Sequence, residues 1–168
     1  MSLPTPATPR SWNRDSISKI LMLASAFMLG LLLPGRISVT VSKSLEKRVY
    51  IVSEISDARE IKKGGYVLFT LRSKLIRNGE PVDAMKMVAC TEGEVLKEDR
   101  GNFYCNGKYL VTARARSQKG ESLEHFSFNG AIPKGKLFLT GQHPESYDSR
   151  YFGFIGVEDV RKTAHPVF

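Results

Sequence analysis

The sequence predicts a mainly β domain preceded by one N-terminal transmembrane helix. A single long apolar run lies near the N-terminus, from Ile20 to Leu33. Beyond it, short β-prone runs alternate with Gly, Asn and Pro turn signals, with no helix-period stretch longer than a few turns. The 168 residues, 42% hydrophobic and 25% charged, suffice for one modest core and are too few for two ordinary domains. The organisation read from the chain is a cytoplasmic tail over 1–15, an anchor over 16–35 and a periplasmic domain over 36–168.

The run ILMLASAFMLGLLL carries no charge, and Pro34-Gly35-Arg36 ends it. Counted from Ile17, with Lys19 snorkelling to the headgroups, it reaches the lower limit of about 17 residues for a bilayer span. Arg10 and Arg14 with Ala24-Ser25-Ala26 also fit a cleaved signal peptide. The small residues sit in the middle of the run, at the wrong depth for cleavage, so an uncleaved anchor is the reading taken. The positive-inside rule then puts the N-terminus in the cytoplasm.

Strands are expected at Ile37–Val41, Val49–Val52, Tyr66–Leu71, Met85–Cys90, Phe103–Tyr104, Tyr109–Ala115 and Leu137–Thr140. Turns are expected at Gly64-Gly65, Asn78-Gly79, Asn106-Gly107, Asn129-Gly130 and Pro133–Gly135, and residues 91–102 are read as turn-like. The stretch RSKLIRNGEP, residues 72–81, reads as a solvated polar loop between two strands. The two cysteines, Cys90 and Cys105, flank the turn-like residues. In an oxidising periplasm they are expected to pair, closing a loop of about 15 residues for about 3 kcal/mol; two buried free thiols are the alternative.

The composition excludes several classes. Two cysteines and three scattered histidines do not make a four-thiolate zinc site or a disulfide-rich scaffold, and no metal or cofactor is expected. The net charge of +8 does not indicate a nucleic-acid partner. Residues 1–47 hold six basic and two acidic residues, so half the excess flanks the apolar run, and the basic residues lack interleaved aromatics. There is no G-x-S-x-G elbow, H-E-x-x-H, Walker loop or C-x-x-C.

One lysine stands out. Lys86 is the only charge between Ala84 and Cys90. On a strand it shares a face with Ala84, Val88 and Cys90, while Met85, Met87 and Ala89 take the other, and neither face suits water. An ordinary lysine is neutral about once in 2,500 molecules at pH 7, whereas burial lowers its pKa by up to about 3–5 units and yields a usable general base. The bland alternative is an edge-strand lysine whose head reaches solvent. A base needs a nucleophile, and Ser42-Lys43-Ser44-Leu45 follows the apolar run closely; by itself S-x-S is a weak signal.

Four segments, in order, resemble the signal peptidase I family, within it the conjugative-transfer (TraF-like) branch. Ser42–Leu45 with Tyr50 resembles the nucleophile box. Ile61–Phe69 resembles the "I-K-x-G-D-x-V" strand. Lys86–Glu94 resembles the lysine box "K-R-V-x-x-x-x-G-D", followed by Tyr104–Gly107. Gly141–Gly153, with Ser146-Tyr147-Asp148-Ser149-Arg150-Tyr151, resembles the distinctive "S-x-D-S-R-Y-x-G" box.

The resemblance implies a signal-peptidase-like β-rich catalytic domain using a Ser/Lys dyad. Ser44 would be the nucleophile and Lys86 the general base. Ser42 would form the oxyanion hole with the Ser44 N–H, and Ser146 would orient the lysine amine. Asp148 and Arg150 would brace the box, Asp148 with a more direct part in the TraF-like branch. The chain departs from the family's pattern at Glu46, where a proline is usual, at Arg48, where a glycine is usual, and at Gly141-Gln142-His143, where Gly-Asp-Asn is usual. The implied substrate is a membrane-bound prepilin or other secreted precursor, cut by water or closed head-to-tail, at the inner membrane of a bacterium. The alternative is an inactive periplasmic structural component of a conjugation apparatus.

Overall fold

The computed structural model describes residues 14–32, 36–39, 44–73, 75–117 and 120–167. They fall into two units divided after Arg36. The first contains helix α1, Arg14–Leu32, nineteen residues with Asp15 in its first turn. Along it Leu21, Met22, Leu23, Phe27 and Met28 are exposed. Among the described residues, no helix is long and apolar enough to cross a membrane.

The second unit is mainly β, as expected. Its strands are β1 (Ile37–Val39), β2 (Val49–Glu54), β3 (Tyr66–Leu71), β4 (Val82–Thr91), β5 (Val95–Asp99), β6 (Asn102–Cys105), β7 (Lys108–Thr112), β8 (Asn129–Ala131), β9 (Lys136–Thr140), β10 (Ile155–Gly156) and β11 (Val160–Pro166). A short helix, α2 (Ser149–Phe152), follows β9. Seven strands form one sheet in the order β1-β2-β11-β3-β4-β9-β10, and four form a second in the order β7-β6-β5-β8. Every pairing is antiparallel.

Alternation builds the central strand β3, in which Val67, Phe69 and Leu71 are buried and their neighbours half-buried. These three pack with Val88, Leu137 and Leu139 into one core cluster. Each fully buried side chain of this size contributes about 1.5–3 kcal/mol of transfer free energy. A second cluster joins the sheets through Cys90, Leu96, Phe103, Cys105 and Phe138. Cys90 and Cys105 are disulfide-bonded across this boundary, linking β4 to β6.

Several expectations change on the structure. The turn-like stretch 91–102 contains β5, whose one fully buried side chain, Leu96, leaves a mostly polar sequence. Asn129-Gly130 lies within β8, not in a turn, and Asn129 Oδ1 accepts the Glu98 N–H. The strand read over 109–115 spans Lys108–Thr112, and β4 runs longer than read, beginning at Val82. Asn106-Gly107 is the tight turn expected; both residues have positive φ, 49° and 78°, as a type I′ hairpin turn requires.

The face assignment on β4 holds only in part. Val88 joins the cluster of β3, with Ala84 packed against it, and Met85 packs in the cluster on the other face. A register shift between Val88 and Cys90 then puts Ala89 and Cys90 into the same, inter-sheet cluster. The extra residue of a β-bulge turns Cys90 away from the face that Lys86 shares with Val88.

Candidate functional site

The lysine of β4 is buried, with 5% of its surface exposed. Its Nζ donates to Ser146 Oγ at 2.8 Å. Burial is the largest influence on the amine and lowers its pKa; Asp148 opposes the shift and Arg150 adds to it, leaving a value of about 8. The solvent-reaching alternative for Lys86 is thereby excluded. At a pKa of about 8 roughly one molecule in ten carries the free amine at pH 7.

Ser146 is set by the loop between β9 and α2. Its backbone carbonyl accepts from Arg150 Nη2 at 2.9 Å, and its N–H donates to the His143 carbonyl at 3.0 Å. Asp148 caps the first turn of α2 and pairs with Arg150; both side chains are fully buried. The pairing is two-pronged, Nε to Oδ1 and Nη2 to Oδ2, each at 2.8 Å. Asp148 also accepts the N–H groups of Gly141 and Arg150 at 2.7 and 3.2 Å. The two Nη1 N–H groups reach the carbonyls of Thr112 and Pro144, and Nη2 also makes a longer, shared contact of 3.4 Å with the His143 carbonyl. A buried pair offsets its desolvation only when every donor and acceptor is satisfied, and this one is. Asp148–Arg150 is therefore no surface ion pair but the internal frame of the loop.

Ser44 lies on the turn before β2. Its carbonyl accepts the N–H groups of Gln142 at 2.8 Å and His143 at 3.3 Å. Leu45 anchors the turn by packing with Tyr50, Val52 and Met85. Gly141 lies where the two boxes meet: a Cβ there would collide with Ser146 Oγ and approach the Ser44 carbonyl oxygen to 2.9 Å. Ser42 lies outside the described residues.

Two cavities meet at Ser44. Ser44 and Lys86 line one, walled by Leu68, Leu71 and Met85. Ser44 and Ser146 line the other, with Arg114, Glu145 and His143. Ile76 and Tyr147 belong to both. Among the described residues, no hydrogen bond joins Lys86 Nζ to Ser44; the amine is held by Ser146 and faces the shared cavity. Such bonds are often completed only when substrate is bound.

Sequence reasoning missed Ile76 and Tyr147 as cavity walls. Ile76 belongs to the only apolar pair within 72–81, which was the available signal. That stretch folds back through a Ser73–Ile76 bridge and packs Ile76 on the core, so it is not simply solvated. Tyr50 is fully buried, and its hydroxyl has no partner among the described residues. Burial, with Tyr66 and Glu46 adding, pushes its pKa up to about 12. Cys90, Glu94 and Cys105 are close enough together to suggest a metal cluster, but both sulfurs are tied up in the disulfide and offer no thiolate.

Comparisons with known proteins bear on this arrangement. The conjugal transfer protein TraF of Agrobacterium fabrum (strain C58 / ATCC 33970) is 40% identical over 57 residues, 34% of this chain and 32% of that protein. The match thus spans about a third of that relative's length. The crystal structure of a signal peptidase I from Enterococcus faecalis V583 aligns with a TM-score of 0.38 at 24% identity, covering 69% of this chain and 99% of that one. The profile of the family described as signal peptidase, peptidase S26, matches residues 13–168, an extent that includes Ser44, Lys86 and the Ser146–Arg150 loop. With nearly its whole length matched, the chain belongs to the peptidase S26 family of signal peptidases.

Proposed function

We propose that this protein is a membrane-anchored serine endopeptidase with a Ser44/Lys86 dyad. The observation that carries the reading is the buried Lys86 amine, its pKa lowered to about 8, held by Ser146 at the cavity Ser44 also lines. Neutral Lys86 accepts the Ser44 hydroxyl proton as Oγ bonds the scissile carbonyl carbon. The lysine then returns that proton to the leaving amine as the C–N bond breaks, and water releases the acyl-enzyme. Ser42 and the Ser44 N–H stabilise the oxyanion, the part implied for them by family resemblance.

The substrate proposed is a membrane-bound prepilin or related secreted precursor of a conjugation system, for which the partial likeness to TraF is the support. The apolar run Ile20–Leu33 and the exposed apolar side chains of α1 support anchorage in the inner membrane. The domain after residue 36 then faces the periplasm, and one surface holds enzyme and substrate. Prepilin processing, followed by mass spectrometry, tests the reading. Wild type shortens the precursor, and Ser44→Ala and Lys86→Arg both abolish cleavage. Cleavage surviving both substitutions overturns the dyad, and a wild type that cleaves no precursor leaves the alternative of an inactive structural component. Recovery in the soluble fraction after lysis overturns the anchor.

A further inference from the structure

We propose that Gln142 is a positioning residue that clamps the nucleophile turn, an inference resting on the Ser44/Lys86 reading. Its backbone N–H donates to the Ser44 carbonyl at 2.8 Å, and its side-chain Oε1 accepts the Glu46 N–H at 3.0 Å. One residue thus grips the turn at both ends, from 96 positions away in sequence. The same side chain interacts with the Tyr66 hydroxyl, opposing the rise that burial and Glu46 impose on its pKa.

Gln142 is itself held by the buried ion pair. The preceding Gly141 N–H donates to Asp148 Oδ2, and the following His143 carbonyl accepts from Arg150 Nη2. The lysine's partner, Ser146, hangs from the same guanidinium through its carbonyl. Nucleophile and base, carried by separate strands and turns, are therefore referenced to one frame. Gln142 is the arm of that frame that reaches the nucleophile. Glu46 stands where a proline would bring no N–H, so here the turn offers a donor and Gln142 takes it.

The Gln142 side chain is exposed, so removing it leaves no cavity and disturbs the core little. Its effect falls on geometry, where a displacement of about 1 Å costs on the order of 100-fold in rate. The experiment uses the full chain with Gln142→Ala and Gln142→Glu, which keeps an acceptor for the Glu46 N–H. Gln142→Ala is expected to lower kcat on the order of tenfold with KM changed less than about twofold. Amide exchange over residues 44–46 should quicken, and the thermal midpoint and the basic limb of the pH profile should stay put. Gln142→Glu restores kcat and slow exchange. Wild-type kcat and exchange in Gln142→Ala, or a Gln142→Glu variant as slow as the alanine, overturns the inference. Ser44→Ala in parallel separates the two claims. Activity surviving it defeats the dyad, whereas its loss beside an unaffected Gln142→Ala defeats only the clamp.

Discussion

Lys86 Nζ and Ser146 Oγ lie 2.8 Å apart with both side chains buried, so the hydroxyl is the fixed point of the amine. Ser146→Ala removes that point and leaves a buried donor without an acceptor. The expected result is a fall in kcat on the order of 100-fold and a loss of about 1–3 kcal/mol in stability. Steady-state kinetics and urea unfolding measure the two separately.

Burial of Lys86 makes a prediction about stability as well as rate. Its folded pKa, about 8, lies below the ordinary 10.5, so the unfolded chain binds more protons. Stability from this group is therefore lowest below pH 8, rises between about 8 and 10.5, and is fully recovered above. The recovery amounts to about 3 kcal/mol. Lys86→Met should lose activity, gain about that much stability at pH 7 relative to wild type, and show no such rise. Unfolding free energies measured from pH 7 to 10.5 decide it.

At Gly141 the constraint is space. A methyl group there would displace Ser146 Oγ or the Ser44 carbonyl, and both belong to the site. Gly141→Ala is expected to cut kcat by 100-fold or more, on the order of a 1 Å displacement, while the domain still folds. A crystal structure of the variant should show Ser146 turned from the lysine.

Replacing Arg150 by lysine keeps the charge but not the fork. The planar guanidinium meets both Asp148 oxygens and four backbone carbonyls, which an ammonium cannot reach together. Arg150→Lys should destabilise the domain by about 3–5 kcal/mol, a large share of the stability of a chain this size. Thermal unfolding at fixed pH reads this directly.

The sequence made the β-rich class legible because strands such as β3 carry their burial as strict alternation. Lys86 was legible for a related reason, a single charge in a run that otherwise shuns water. The strands that escaped notice do so on composition. β11 lies between β2 and β3, yet its only fully buried residue is Ala164, so hydrogen-bond ladders on both sides hold it where hydropathy gives no sign. β5 likewise depends on Leu96 alone.

Within the site, Ser146, Asp148 and Arg150 were accessible through the motif. The depth of the ion pair was not, because the same spacing occurs in exposed loops. Gln142 read as a mere departure from a pattern. Its meaning depends on Glu46, and only the fold brings the two together.

The central claim is an amine that burial makes far easier to deprotonate near neutral pH, and an NMR titration of the Lys86 side chain in the folded protein tests it most directly. A midpoint of about 8 is the predicted result. A midpoint at the ordinary 10.5 would contradict it.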